Sequence, residues 1–572
     1  MSSIVLLQNN FLAGELSPKL EGRSDLPAYQ NGCRTMENFL PMKNGGFRRR
    51  PGTYYIGDPA ATARLIPWTT SAGTCILELT ALSARLWTTA HALYGSPAVV
   101  VTPWSASDIA AIDYVANGDE IYLVHPSYAP RLITYSAGTF TLSTPSFSGA
   151  RTFSATGDYP AVVDIYQGRL LFAATNNEPR TIFMSRTFNT ATGAYRFTDF
   201  TTGSTSDYAV IYTIPDGVGS SIRWTAVHKL GLMAGTDRSV WQNTATLASD
   251  ITMQPIAYVP CAPQKALKSG NVVLYLGYVT PTLRILAYSS DSESFADIDA
   301  SRFSDHILKP SVLEIAAMMD PDQVAFLARS DGTLCAATID TQGGLSVGWS
   351  RQVLADDGLV ESVAVARGTS GDELWMVVNR DGNRRMEYLS LAVEDDDFEE
   401  IHYLDSGLRK TYATPTKTIT GLTHLEGKVV SAIGDGGLLP SKTVASGQVT
   451  YSKGVSTIHI GLPYTSTVKP ERPEIALNNT WQGKTKQVLS TTLRLYRSYG
   501  GQAGPDEDNL MSLAYVGLEG QDLGDPPAPF TGDAEVPSPG TVDTDGAITC
   551  VQDKPFPFTV LAMMTRIALQ EG

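Results

Sequence analysis

The sequence predicts a mainly β protein. A β-propeller-like body is expected between a short N-terminal helical or extended arm and a C-terminal antiparallel β-barrel or sandwich domain. Three observations lead there. From Gly73 onward a polar turn, an apolar strand, a short turn and a second strand keep returning. Successive hairpins lie about 40–60 residues apart, the interval of propeller blades rather than of short solenoid repeats. Beyond an acidic run the pattern changes to short alternating segments closed by glycine turns.

Bulk properties set the frame. A chain of 572 residues exceeds what one compact core organises, so several domains are expected. Its formal net charge of −15 argues against a general nucleic-acid or anionic-membrane binder, which would carry basic faces. Hydrophobic residues make up 43% and charged residues 18%, the balance of a folded chain. The five cysteines are far apart without a Cys-x-x-Cys, which fits a reducing compartment and neither a disulfide framework nor a zinc ribbon. Residues 4–7 are too short for the core of a signal peptide, and no stretch reaches the ~18 apolar residues of a membrane span.

The elements follow in order. In residues 1–58, Leu26, Tyr29, Cys33, Met36 and Phe39 recur every three or four residues, as on the apolar stripe of a short helix. Ser24 or Asp25 can cap it, Pro27 suits its first turn and Pro41 follows its end, although Gly32 weakens it. A Gly45-Gly46 hinge and the triplet Arg48, Arg49, Arg50 come next. Residues 59–391 hold seven hairpins, beginning near Cys75, Glu120, Arg169, Leu230, Val272, Val324 and Glu373. Asp331-Gly332 and Asp381-Gly382 are tight-turn signals. This body reads as six or seven blades, with an irregular pair of β-sandwiches as the alternative. An insertion at 187–220, rich in Thr, Ser, Gly and aromatics, suggests partner contacts or a surface excursion.

Residues 392–403 form an acidic linker; its carboxylates lack the alternate spacing of a calcium loop. Residues 404–572 carry the C-terminal β domain, with an extended Gly-, Pro- and Asp-rich loop around 501–545.

Chemistry is hard to find. The seven histidines show no helical metal pair and no His-Glu-x-x-His; nucleophile elbows and phosphate-binding loops are absent. No catalytic residue, cofactor or metal is assigned, and the chain is not expected to be an enzyme. A sugar-cleaving propeller is the rival. Residues 329–334 carry a faint likeness to a sialidase aspartate box, without its final tryptophan, and no carboxylate pair stands out.

The opening stretch carries a resemblance. Phe11-x-x-Gly14-Glu15-Leu16-Ser17-Pro18, Arg23-x-Asp25-Leu26, Tyr29, Gly32-Cys33, Asn38-Phe39, Gly45-Gly46 and Arg49-Arg50-Pro51-Gly52-Thr53 resemble the nozzle family of short-tailed double-stranded DNA phages, the tail tubular protein B family. Stretches beginning at Asn117, Gln167, Met233, Gly421 and Asp553 extend the likeness over nearly the whole chain.

The resemblance implies a structural virion protein of a podovirus tail, assembled in the host bacterial cytoplasm. It implies a homohexameric ring that extends the distal DNA channel, docks on the portal-proximal adaptor and gates genome release. Tail fibres or tail-tip proteins, viral DNA passing without specific binding, and the host surface are the other expected contacts. Arg48, Arg49 and Arg50 are expected at contacts between protein chains, because the planar guanidinium pairs carboxylates bidentately. Removing residues 1–57 is then expected to leave a folded monomer that forms no ring. The alternative function is a propeller-fold glycan hydrolase or a glycan-binding tail protein.

Overall fold

A computed structural model describes residues 3–569 other than 191, 218, 246–250, 290–292, 343, 393–401, 475–480, 514–528 and 538–541. The acidic run at 394–400 lies outside the described residues. Among the described residues helical structure is confined to single turns, such as Pro27–Gln30 and Thr423–Leu425. β-branched and aromatic side chains carry nearly everything else into strands.

All seven hairpins form, each as two adjacent antiparallel strands. At the last of them Asp381 and Gly382 both take positive φ, 52° and 82°, as a type I′ turn requires. Around each of the first five hairpins a four-stranded antiparallel sheet is built, and the sixth and seventh hairpins lie within larger sheets of ten and eight strands. The first runs Arg64–Thr70, Gly73–Thr80, Ser83–Thr88 and Leu93–Val101. The third takes its fourth strand, Val210–Thr213, from the stretch read as an insertion, and Phe197 and Phe200 of that stretch are buried.

Apolar clusters sit between consecutive sheets. Leu77 and Leu86 of the first meet Ile121 and Ile133 of the second, and Leu274 and Ile285 of the fifth meet Leu327 and Ala337 of the sixth. Ile76 and Trp87 of the first sheet also pack on Trp375 and Val377 of the seventh. Middle strands covered on both faces read as unbroken apolar runs, as in Val272–Leu276, which is buried throughout.

The expected architecture is corrected here. The chain is a mostly β-sheet protein organised into several separate sheets, none of them, among the described residues, closed into a barrel or curled into a propeller. Hairpin spacing reports how much chain each sheet uses; it does not fix how sheets are arranged. The C-terminal barrel is likewise absent, because its strands are shared out. Asp405–Thr420 and Gln448–Leu462 continue the seventh sheet, while Ser466–Pro470 and Thr549–Gln552 continue the sixth. Thr559–Leu569 and Lys486–Ser498 centre a further sheet with Phe530–Pro537, a strand drawn from the expected 501–545 loop.

Nor is there a helical arm. Residues of the first segment are woven into three sheets: Gly14–Glu15 and Gly32–Glu37 into the sixth, Phe39–Pro41 and Phe47–Arg49 beside Thr559–Leu569, and Tyr54–Gly57 into the seventh between Asn383–Ser390 and Asp405–Thr420. The helical stripe has a physical explanation. A register shift between Cys33 and Thr35 moves the alternation by one residue, so Cys33 and Met36 both face the core at a spacing of three. Such a segment cannot be removed without opening three sheets, so the 1–57 deletion is now expected to yield insoluble chain rather than folded monomer, checked by soluble yield on expression.

Candidate functional site

The residues of the opening motif meet at a buried joint. Arg50 lies in a groove of its own chain, giving two 2.7 Å hydrogen bonds to the Asp405 carboxylate. Its Nε donates to Asn38 Oδ1 at 3.0 Å, and its plane stacks 3.8 Å from the centre of the Tyr464 ring. Burial opposes charge on both partners, but their mutual attraction outweighs it: the Arg50 pKa is raised and that of Asp405 lowered. Asp405 also accepts the Ala355 amide at 2.8 Å, so the pair links the N-terminal segment to two later parts of the chain.

Arg49 is treated differently. It donates to Ser466 Oγ at 3.0 Å and to the carbonyls of Phe556, Tyr464 and Lys554, without a carboxylate. Burial among neutral acceptors pushes its pKa down. Arg48 remains partly at the surface, 3.1 Å from Asp322 with Lys43 nearby. Two of the three arginines expected between chains therefore serve inside one chain, and Arg48 alone keeps a side chain near the surface.

Glu15 anchors the other half of the motif. Its carboxylate accepts the Met36 amide at 2.8 Å, binds Arg351 Nε at 2.8 Å and lies 2.9 Å from His306 Nε2. Gly14, at φ 64°, runs so close to the sixth sheet that a Cβ there would sit 2.2 Å from the Trp349 carbonyl oxygen. Ser17 donates to Asp305 at 2.6 Å, and Lys19 pairs with the same carboxylate. Those bonds hold Asp305 down at about 2.

A second polar cluster links the leading strands of the stacked sheets. Lys265 Nζ lies 2.7 Å from Asp113 Oδ1 and 2.8 Å from the Tyr114 carbonyl, with the Tyr114 ring 5.3 Å away. Asp113 accepts the Val163 amide of the third sheet at 2.9 Å. Arg64 of the first sheet pairs with Glu314 of the sixth at 2.9 Å, and Ser362 of the seventh donates to Glu314 at 2.6 Å. Asp164, half-buried beside Lys265 and Asp113, has its pKa pushed up to about 6 by desolvation, with Lys265 opposing.

A cavity of about 310 Å³ opens where the first strand crosses the C-terminal sheets, lined by Leu6, Tyr29, Glu471, Arg472, Ile548 and Met563. Glu471 is 9% exposed, its nearest cation Arg34 Nε at 3.7 Å. Desolvation raises its pKa from the ordinary 4.5 to about 7 despite Arg34. A folded pKa above the unfolded one means the native state keeps a proton that the unfolded chain has lost, so stability falls as pH rises from about 4.5 to 7. Glu471→Gln removes that penalty. The variant is expected to be more stable than the parent by on the order of 2 kcal/mol at pH 8, with no difference near pH 4.5, measured by urea unfolding at both values.

Sequence reading found the motif but missed its partners. Asp405, Arg351, His306 and Tyr464 lie hundreds of residues from it, and no local pattern marks them. His424 and Glu426, two residues apart in sequence, do not act together: His424 stacks on Tyr55, while Glu426 accepts the Ser446 and Gly447 amides. Among the described residues there is no group of three or more His, Cys, Asp or Glu placed to hold a metal ion, and no helix long and apolar enough to cross a membrane.

No protein-family model matches this chain, and no curated protein matches it by sequence. Solved structures give loose likenesses. BamB from Moraxella catarrhalis is 8% identical, covering 62% of this chain and 94% of its own, with a TM-score of 0.34. The Cps50 (Swd1) beta-propeller domain of Myceliophteria thermophila is 9% identical, covering 59% of this chain and 99% of its own, with a TM-score of 0.39. Scores this low carry no argument about fold or function.

Proposed function

We propose that the chain is a structural subunit of a short-tailed phage tail: a nozzle protein that forms a ring, docks on the portal-proximal adaptor and passes DNA without gripping it. One observation supports this above the others. Most of the residues that carry the family resemblance, among them Phe11, Glu15, Phe39, Arg49 and Arg50, are buried and used to lock sheets together, while Pro18, Arg23 and Asp25 are exposed. A motif used to join sheets fits a structural component. The net charge of −15 suits a conduit, since each neutralised phosphate would add affinity and slow the polymer. Hexamer formation, fibre or tip contacts and a place in the virion belong to the same reading. Mass photometry of the purified chain, alone and with an adaptor ring, tests it: a closed oligomer is expected, and a monomer under both conditions would overturn it.

A second reading, a glycan hydrolase or glycan-binding tail protein, draws on the cluster around Asp164. A carboxyl near pH 6 beside Asp113 and Lys265 is the kind of group that a general acid or a sugar-gripping site uses. Hydrolysis of bacterial surface polysaccharide, abolished by Asp164→Asn with folding intact, would favour it. Under the nozzle reading no glycan turnover is expected from either protein.

A further inference from the structure

The sheet centred on Thr559–Leu569 ends in two unlike edges. On one side lies Ser3–Gln8, paired only to Thr559–Leu569; on the other lies Phe530–Pro537, paired only to Lys486–Ser498, among the described residues. Ser3–Gln8 reads Ser-Ile-Val-Leu-Leu-Gln, with no charge, proline or glycine to blunt it. An edge strand of that composition recruits another strand unless something covers it.

The register places the outward-facing residues. Leu7, Met564, Thr492 and Glu535 lie in one row across the four strands, and Val5, Arg566, Ser490 and Pro537 in another two residues along each strand. The row between them, Leu6, Thr565, Thr491 and Val536, faces the core, where Leu6 packs and Val536 is buried. Val5 and Leu7 are accordingly 58% and 59% exposed. Arg566 and Glu535 are exposed on the same outer face, and neither has an ion-pair partner among the described residues. One edge therefore presents apolar side chains with a free cation beside them; the other presents a free anion.

Strand direction agrees with charge. Each of the three pairings across this sheet is antiparallel, so Ser3–Gln8 and Phe530–Pro537 run in opposite senses. A second copy set alongside would bring its Phe530–Pro537 against Ser3–Gln8 with the antiparallel alternation unbroken.

We propose that Ser3–Gln8 of one copy pairs with Phe530–Pro537 of the next, Arg566 reaching Glu535 across the joint, so that one sheet continues from subunit to subunit. The contact is head-to-tail: each copy uses a different edge for each neighbour, the type of interface from which rings are built. The inference rests on the ring-forming reading above and supplies its contact.

Mass photometry of the full-length chain over a concentration series tests it. Val5→Lys with Leu7→Lys is expected to weaken association at least tenfold while leaving the melting temperature of the monomer unchanged, since both side chains face solvent. Arg566→Glu alone and Glu535→Arg alone should each weaken association, and the two together should restore it, which a merely misfolded variant would not do. Rings that form equally well with both lysines present, or a double charge reversal that fails to recover, would overturn the edge pairing and leave the nozzle reading standing. A parent chain that stays monomeric at every concentration, with and without adaptor, would remove both.

Discussion

Arg50→Ala is expected to destabilise the fold by about 3–5 kcal/mol, because it strands the buried Asp405 carboxylate without its cation. The pair has side-chain exposures of 1% and 0%, so water cannot take over the lost hydrogen bonds. Asn38 Oδ1 and the Tyr464 ring face lose their guanidinium neighbour as well. Guanidinium unfolding gives the measurement, and a companion variant gives the cause. Arg50→Met combined with Asp405→Leu removes both charges while keeping much of the volume, and should recover a large part of the loss, since ion pairs of this kind owe their sensitivity mainly to the uncompensated partner. Equal losses in the single and double variants would instead assign the effect to packing.

Gly14→Ala should cost about 3 kcal/mol or more, through backbone rather than side-chain chemistry. The added Cβ would lie 2.2 Å and 2.3 Å from the Trp349 carbonyl oxygen and amide nitrogen, distances no flexible side chain can relieve. The positive φ adds its own strain for any L residue. Relief requires Gly14–Glu15 to lift off the sixth sheet, which would pull Glu15 away from Arg351 and His306. Faster proteolysis within residues 1–30 together with a lowered unfolding midpoint is the expected result. An unchanged midpoint would show that the strand is dispensable to the sheet.

Local structure was legible in the sequence where it depends on neighbours along the chain. The Asp381-Gly382 turn and the paired apolar runs at Val272–Leu276 and Leu283–Ser289 follow from turn chemistry and strand composition alone. Long-range arrangement was not. Cys33 and Met36 read as a helical stripe because a shifted register puts a spacing of three into a strand, and nothing within six residues distinguishes the two cases. The propeller and barrel were inferred from spacing, a quantity blind to whether a sheet closes or shares its strands with distant segments.

The triplet illustrates the same limit for the site. Three adjacent arginines suggest a basic surface, yet the strand Phe47–Arg49 and the turn after it point Arg49 and Arg50 into acceptors supplied by residues 405, 464 and 556. Composition reveals the charge of such a group. Only the fold reveals the counter-charge.

Because Thr559–Leu569 lies between strands from residues 3–49 on one side and Lys486–Ser498 on the other, segments synthesised hundreds of residues earlier must wait for their partner. Until residues 559–569 have been made, Ser3–Gln8 and Phe47–Arg49 lack the strand they pair with, and a product cut short before them cannot complete this sheet. Such a product would leave Ser3–Gln8 unpaired along both edges, a liability built into its own topology.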